Sequence, residues 1–261
     1  MLAFPILAQE NLGARPMGMG GAFAGLADDV NAIFINPAGI SSIKKESALV
    51  STRVGQGREH TMIGGVEITP FGNLGIGYVG STDPVEGFNL SAWDGETPTK
   101  YTTQTIYVTA AKDLNREIGA SIGLEKISVG ANLKFSSRKL GAANGLARDS
   151  GSGVDIDLAS IFMPNNDLSL GMSMQNLLNG NKNAVLTGAS GKLFNKNVTW
   201  VLDGDEIGCE WEAIKGLSVR AGRASYGLGV SVNGFAVDYA CMNKTGPVHY
   251  WSISIAQQGS T

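Results

Sequence analysis

Apolar and polar residues alternate with a period of two along most of this chain. In residues 127–138 the odd positions are almost all apolar, whereas the even positions carry serine, glycine, asparagine, lysine and arginine. Residues 167–175 repeat the division, with leucine and methionine on one face and serine, glycine and glutamine on the other. Because successive side chains of a strand point to opposite faces, both segments are predicted to be strands between an apolar and a wet environment.

About fourteen segments show this pattern, and their length is of the order that a tilted strand needs to cross a bilayer, about 9–11 residues. They are residues 48–54, 62–68, 74–80, 101–111, 118–124, 127–138, 154–162, 167–175, 198–202, 207–213, 217–222, 226–232, 235–241 and 250–255. Short links are predicted at 124–127 and 162–167, and long links at 82–100, 139–153 and 176–196. Short turns at one rim and long loops at the other are typical of an outer-membrane barrel.

A soluble β-sandwich is the alternative, because its strands also alternate. The polar faces here consist of glycine, serine and a few charges, without the dense charged cover of a soluble sheet. The pattern therefore favours a transmembrane antiparallel β-barrel of about 14 strands, over residues 46–261, in the bacterial outer membrane. The charged residues that this register turns toward the lumen are Lys134, Arg138, Arg220 and Asp238.

The register also predicts how the two faces respond to a charge. Lumen positions such as Asn132 and Ser169 are expected to be wet and to accept arginine. Arginine at Leu133 or Leu170 is expected to be far worse for assembly than arginine at Asn132 or Ser169, because a charge facing mid-bilayer lipid costs about 2–4 kcal/mol.

Composition and charge exclude several other classes of protein. Charged residues make up 16% of the chain, against about 25% in a typical soluble protein. No stretch approaches the roughly 20 apolar residues of a membrane-spanning helix. A net charge of −3 gives no basic patch for nucleic acid. Cys209 and Cys241 are predicted to be free thiols that face lipid on non-adjacent strands, rather than a disulfide.

The first 45 residues do not alternate. Residues 1–10 are predicted to be a signal-peptide remnant or a disordered start. Residues 11–45 are predicted to form a plug, or hatch, inside the barrel, because so long a non-strand segment fits there most economically.

Within the plug, Asp28 is expected to cap a short helix, whose apolar face carries residues 30, 33 and 34. Pro37 ends this helix and forces Asn36 toward an extended conformation. The Asn36 side chain is expected to bond to backbone near Pro37. The charges of Arg15, Asp28 and Asp29 are expected to meet the lumen-facing charges of the barrel, since buried charges need partners.

This N-terminal segment resembles that of PorV/PorQ-type proteins, which belong to the FadL-like outer-membrane barrels. The residues that carry the resemblance are Gly18, Gly20, Gly21, Asp28, Asp29, Asn36, Pro37, Ala38 and Gly39. Segments at 207–210, 217–222, 226–229 and 237–240 follow the family's order. The resemblance implies a fourteen-stranded barrel with an N-terminal hatch that carries the Asn-Pro-Ala turn. It also implies either passage of hydrophobic molecules, as in FadL-like members, or protein binding in type IX secretion, as in PorV-type members.

No catalytic, cofactor or metal site is predicted, and the chain is not expected to be an enzyme. Phe23 stands where a dinucleotide loop beginning at Gly18 needs its third glycine. His60 and His249 have no second ligand at metal spacing, and they are expected to be solvated residues of the rims.

Two functions stay open: passage of hydrophobic small molecules across the outer membrane, and a structural or interaction barrel that serves secretion or the envelope. A transporter is expected to have an apolar lumen pocket, whereas the lumen faces are mostly glycine, serine, asparagine and charges. The expected partners are outer-membrane lipid with either hydrophobic small molecules or secretion-system proteins, and no nucleic acid.

Overall fold

The computed structural model describes residues 13–56, 58–84, 98–115, 123–142, 147–179, 183–194, 196–244 and 246–257. Fourteen strands in this part of the chain form one closed antiparallel barrel, in which each strand pairs with its sequence neighbours and the last pairs with the first. This confirms the predicted fold. The strands are Ser47–Gly55 (β1), Arg58–Thr69 (β2), Gly72–Pro84 (β3), Pro98–Asp113 (β4), Lys126–Ala142 (β5), Ala147–Asn165 (β6), Leu168–Gln175 (β7), Ala184–Leu193 (β8), Val198–Asp203 (β9), Glu206–Ile214 (β10), Leu217–Gly222 (β11), Ser225–Val232 (β12), Phe235–Met242 (β13) and Val248–Ala256 (β14).

The outer surface of the barrel is an apolar belt. On β5, Leu133 and Phe135 are exposed on the outer face, whereas their neighbours Asn132 and Lys134 are buried in the lumen. β7 repeats the alternation, as predicted. An aqueous surface rarely shows so large an apolar area, whereas lipid requires one. Among the helices of the described residues, none has the length and apolar character needed to cross a membrane.

Several of the predicted strands and loops need correction. The predicted long loop at 176–196 is wrong, because it contains β8. The outward positions of β8 include Thr187, Ala189 and Gly191, and Leu186 faces inward, so its alternation is weak. The predicted long loop at 139–153 is also wrong, because β5 and β6 continue their pairing through most of it.

The predicted strand at 118–124 falls mostly outside the described residues. Gly123 and Leu124 lie in no strand, and β4 pairs directly with β5. The predicted loop at 82–100 is partly strand, and its residues 85–97 lie outside the described residues. The prediction for residues 1–10 also concerns residues outside the described ranges.

The two rims of the barrel differ. The chain enters β1 and leaves β14 at one rim, here called the terminal rim, and the opposite one is the loop rim. At the terminal rim, Asn233 and Gly234 join β12 to β13 in a two-residue turn with φ angles of 52° and 82°, the left-handed pair that such a hairpin favours. At the loop rim, β4, β5 and β6 rise above shorter strands such as the six-residue β9.

The N-terminal segment fills the lumen. It contains helix α1 (Ala14–Gly18), helix α2 (Ala32–Ile35) and a 3-10 helix (Pro37–Ser42). Among the described residues, more than half of the buried apolar ones belong to this segment, so the core is the interface between plug and wall. Cys209 and Cys241 are free, as predicted, and lie on the non-neighbouring strands β10 and β13, although Cys241 is buried.

The helices of the plug differ from the prediction in their starts. The expectation that Asp28 caps a helix is wrong, because α2 begins after Asn31 with no side-chain cap. Instead, Asp29 Oδ1 accepts a hydrogen bond from the Asn31 backbone N–H at 2.8 Å, which forms a local turn before the helix. The glycine-rich stretch before α2 contains a further helix, α1, for which the sequence gives no prediction.

Candidate functional site in the plugged lumen

Glycines of the barrel wall make room for the plug. A Cβ atom added at Gly130 would lie 2.3 Å from the Ala38 nitrogen, and one added at Gly171 would lie 2.0 Å from the Ala24 oxygen. A Cβ atom added at Gly208 would lie 2.3 Å from the Met19 oxygen. Side chains at these positions would push the plug away, so the small residues of the polar strand faces form its seat.

Asn36 joins two parts of the plug to the wall. Its Oδ1 accepts from the Ala38 backbone N–H at 3.2 Å, the local bond expected beside Pro37. Its Nδ2 donates to the Ala24 carbonyl at 2.8 Å and to the Ser160 carbonyl of β6 at 3.2 Å. The backbone at Asn36 is extended, with φ −141° and ψ 92°. Asn36 is fully buried, so all three bonds are shielded from water.

The motif glycines allow close approaches and unusual backbone. Gly39 lies against Ala27, whose oxygen would be 1.9 Å from an added Cβ. Gly20 and Gly21 have φ angles of 80° and 91°, a region that side chains disfavour. Gly18 packs on the side chain of Arg220.

Polar side chains of the wall hold the plug backbone from several strands. Asp203, at the end of β9, accepts from the N–H groups of Phe23 and Ala24 at 2.5 and 2.6 Å. Asn132 of β5 donates to the Ile33 carbonyl at 2.8 Å. Further bonds run from Asn73 to the Ile40 and Ile43 carbonyls, from Gln175 to Ile35, from Ser190 to Gly25, from Ser225 to Gly18, and from the Ala14 N–H to Ser252.

A chain of ion pairs begins in the plug. Arg15 contacts Asp28 at 2.6 Å and Asp29 at 2.7 Å. Its second terminal nitrogen contacts Glu210 of β10 at 2.9 Å. Asp28 and Asp29 therefore pair inside the plug, and Arg15 alone makes the contact with the barrel that was expected of all three.

The series of ion pairs continues along the inner face of the barrel wall. Arg220 of β11 contacts Glu210 at 2.6 Å and Asp238 of β13 at 2.7 Å. Arg220 is 4% exposed, so its charge is stabilised by these partners rather than by water. Glu210 links the two arginines, and its lumen position is visible in the sequence because Cys209 and Trp211 beside it face outward.

The other two predicted lumen charges lie elsewhere. Lys134 of β5 pairs with Asp157 of β6 at 2.5 Å and donates to Asn176. Arg138 is exposed and lines a cavity above the plug. Neither belongs to the ion-pair chain of Arg15.

His60 is not the solvated rim residue that the sequence suggested. It is 6% exposed and faces the lumen from β2. Its Nε2 lies 3.0 Å from Arg53 Nη1 and 3.3 Å from Asp83 Oδ1, which joins β1, β2 and β3 near the loop rim.

A cavity of about 320 Å³ lies in the lumen between the plug and the tall wall at the loop rim. The rings of Phe34 and Tyr107 meet edge to face at its inner end, with centroids 5.2 Å apart. The sides carry hydroxyls, amides and the two basic residues. The lining residues are Phe34, Val79, Tyr101, Thr103, Thr105, Tyr107, Lys134, Ser136, Ser137, Arg138, Gly151, Ser152, Gly153, Val154, Asp155, Asp157, Gln175, Asn176 and Asn179.

No model of a known protein family and no curated protein sequence matches this chain. Solved structures share its fold. The toluene transporter TbuX of Ralstonia pickettii aligns with a TM-score of 0.65 at 11% identity, covering 96% of this chain and 99% of that one. The toluene transporter TodX of P. putida gives 0.64 at 10%, covering 97% and 100%. A FadL homologue of Pseudomonas aeruginosa gives 0.57 at 10%, covering 93% and 97%.

Identities this low establish the fold alone, which is that of the FadL-like outer-membrane barrels. Together with the apolar belt, this fold places the chain in the bacterial outer membrane.

Proposed function

We propose that this chain lets small apolar molecules cross the outer membrane, with the lumen cavity as the point of capture and the plug as the barrier. The cavity carries the proposal. Its volume of about 320 Å³ falls at the lower end of the range for small-molecule sites, about 300–1,000 Å³.

The lining suits a compact molecule with an apolar body. Phe34, Val79 and Tyr107 supply apolar surface at the inner end, while Thr103 and Thr105 supply hydroxyls at the sides. An apolar molecule at the inner end removes its own surface and that of the two aromatic rings from water, and this burial of apolar surface favours binding. Two structures of the same fold are toluene transporters by name, which supports a small hydrocarbon as the first candidate.

Filling the cavity tests this function. Thr105 lines the cavity, whereas Ile106, its neighbour on β4, is 45% exposed on the outer face. In Gram-negative cells that produce the chain, we expect Thr105→Trp to slow uptake of the apolar fluorescent probe N-phenylnaphthylamine to the rate of cells without the barrel. Ile106→Trp adds the same side chain toward lipid and keeps the wild-type rate. Equal rates for the two variants would contradict capture in the cavity.

The second candidate is the PorV/PorQ-type interaction barrel that serves secretion. The observation that favours it is the number of hydrogen bonds fixing the plug, since a structural barrel needs no moving plug. If the wild-type chain gives no faster uptake than cells without it, this candidate replaces the first.

A further inference from the structure

One side of the plug contacts the wall through apolar groups. Val30, Ile33 and Phe34 are buried and point toward β2 and β3. A Cβ added at Gly64 would lie 2.8 Å from Val30 Cγ1, and one added at Gly77 would lie 2.7 Å from the Phe34 ring. These side chains have no polar atoms, so the contact is packing alone. We call it the apolar seam.

The wall side of the seam is a continuous ladder of cross-strand pairs. From the loop rim downward, the lumen-facing pairs of β2 and β3 are Met62 with Val79, Gly64 with Gly77, Val66 with Gly75, and Ile68 with Asn73. All but Asn73 are apolar or glycine. Asn73 lies at the lower end, where its amide binds the carbonyls of Ile40 and Ile43.

The seam runs from the cavity toward the terminal rim, and the bonds of Asn73 to the plug close its lower end. Val79 and Phe34 belong both to the cavity lining and to the top of the seam. At the bottom, Ile68 lies on the same strand face as Met62 and Val66 and is 37% exposed. Phe34 is 7% exposed, and its ring therefore stands between the cavity and the seam below it.

The opposite sides of the plug are held differently. Asn132, Gln175 and Asp203 bind its backbone from β5, β7 and β9. Moving the plug away from those strands breaks buried hydrogen bonds and leaves polar groups unpaired, which is costly. Displacing Phe34 and Ile33 from the glycines requires only that apolar contacts be replaced, and an apolar molecule in the seam can replace them.

We propose that apolar molecules pass the plug along this seam, between α2 and strands β2 and β3, with Phe34 as the side chain that swings to admit them. The proposal rests on the proposed function and adds its route. The bonds from β5, β7 and β9 stay in place while the seam side opens, and the last step to the terminal rim breaks the two bonds that Asn73 of β3 makes to the Ile40 and Ile43 carbonyls.

A disulfide across the seam tests the route. In a disulfide each sulfur lies about 3 Å from the partner's Cβ, and the 2.8 Å between Val30 Cγ1 and a Cβ at Gly64 meets this geometry. We expect the oxidised Val30→Cys/Gly64→Cys protein to take up N-phenylnaphthylamine no faster than cells without the barrel. Reduction of the same protein restores uptake, which separates the closed seam from a folding defect.

The matched control fixes the plug on its hydrogen-bonded side. Ser41 of the plug and Ser128 of β5 have hydroxyl oxygens 2.9 Å apart, so Ser41→Cys/Ser128→Cys can form the second disulfide. This oxidised variant is expected to keep wild-type uptake. Loss of uptake with both disulfides would mean that the whole plug moves, and uptake through the oxidised Val30–Gly64 pair would show that the seam is not the route; either result overturns the inference. A wild-type chain that does not speed uptake would overturn the proposed function itself.

Discussion

At the scale of single residues, the two carboxylates Asp203 and Asp205 lie in one hairpin but have different roles. Asp203 is 6% exposed and accepts two backbone bonds from the plug, whereas the side chain of Asp205 is 87% exposed. Asp203→Asn removes the charge and brings an amide N–H toward the plug's own N–H groups. Since a lost buried partner costs about 1–3 kcal/mol, we expect the variant to unfold at a lower temperature in a heat-modifiability gel. Asp205→Asn should match the wild type, and equal transitions for the two variants would contradict the role given to Asp203.

The sequence predicts which residues face the lumen but not which of them meet. Alternation alone puts Arg220 and Asp238 on the inner face, and Glu210 follows from the same parity. Their pairing with Arg15 depends on how deep the plug sits, and no local pattern carries that distance. Asp203 was missed because it lies one residue beyond the predicted strand, where alternation no longer gives a signal.

At the scale of elements, the strand faces respond differently to an added charge, and the plug changes the expected pattern. Asn132 is 2% exposed and bonds to the Ile33 carbonyl, so the expectation that it is wet is wrong, and we now expect an arginine there to displace the plug. Ser136 lies on the same inner face of β5, four residues after Asn132, and lines the open cavity. We expect Leu133→Arg to block assembly, because a charge in lipid costs about 2–4 kcal/mol, while Ser136→Arg assembles normally. The folded fraction in the outer membrane measures both, and equal assembly of the two variants would show that the register is wrong.

The strands that were predicted well are those whose outer face is consistently apolar, such as β5 and β7. β8 was missed because threonine, alanine and glycine occupy most of its outer face. The helix α1 was missed for a related reason: with five residues rich in small side chains, it forms through its packing against β11, β12 and β13 rather than through its own periodicity.

At the scale of the whole molecule, the barrel and its plug make one core. The wall contributes glycines, and the plug contributes most of the apolar side chains that are buried among the described residues. The sequence predicts that the long non-alternating segment lies inside the barrel, because the lumen has room for it. Its placement, with α1 on the β11–β14 side and the 3-10 helix against β3–β6, depends on contacts with the wall that no local pattern predicts.

The central claim is that this segment closes the barrel and is what any molecule must pass. Ion conductance in planar bilayers tests it most directly, by comparing the full chain with a variant that lacks residues 13–43 and with Asn36→Ala. We expect low conductance for the full chain, a large open-pore conductance for the deletion variant, and a smaller rise for Asn36→Ala, which loses the bonds to Ala24 and Ser160. A folded, heat-modifiable deletion variant with the same conductance as the full chain would contradict the account.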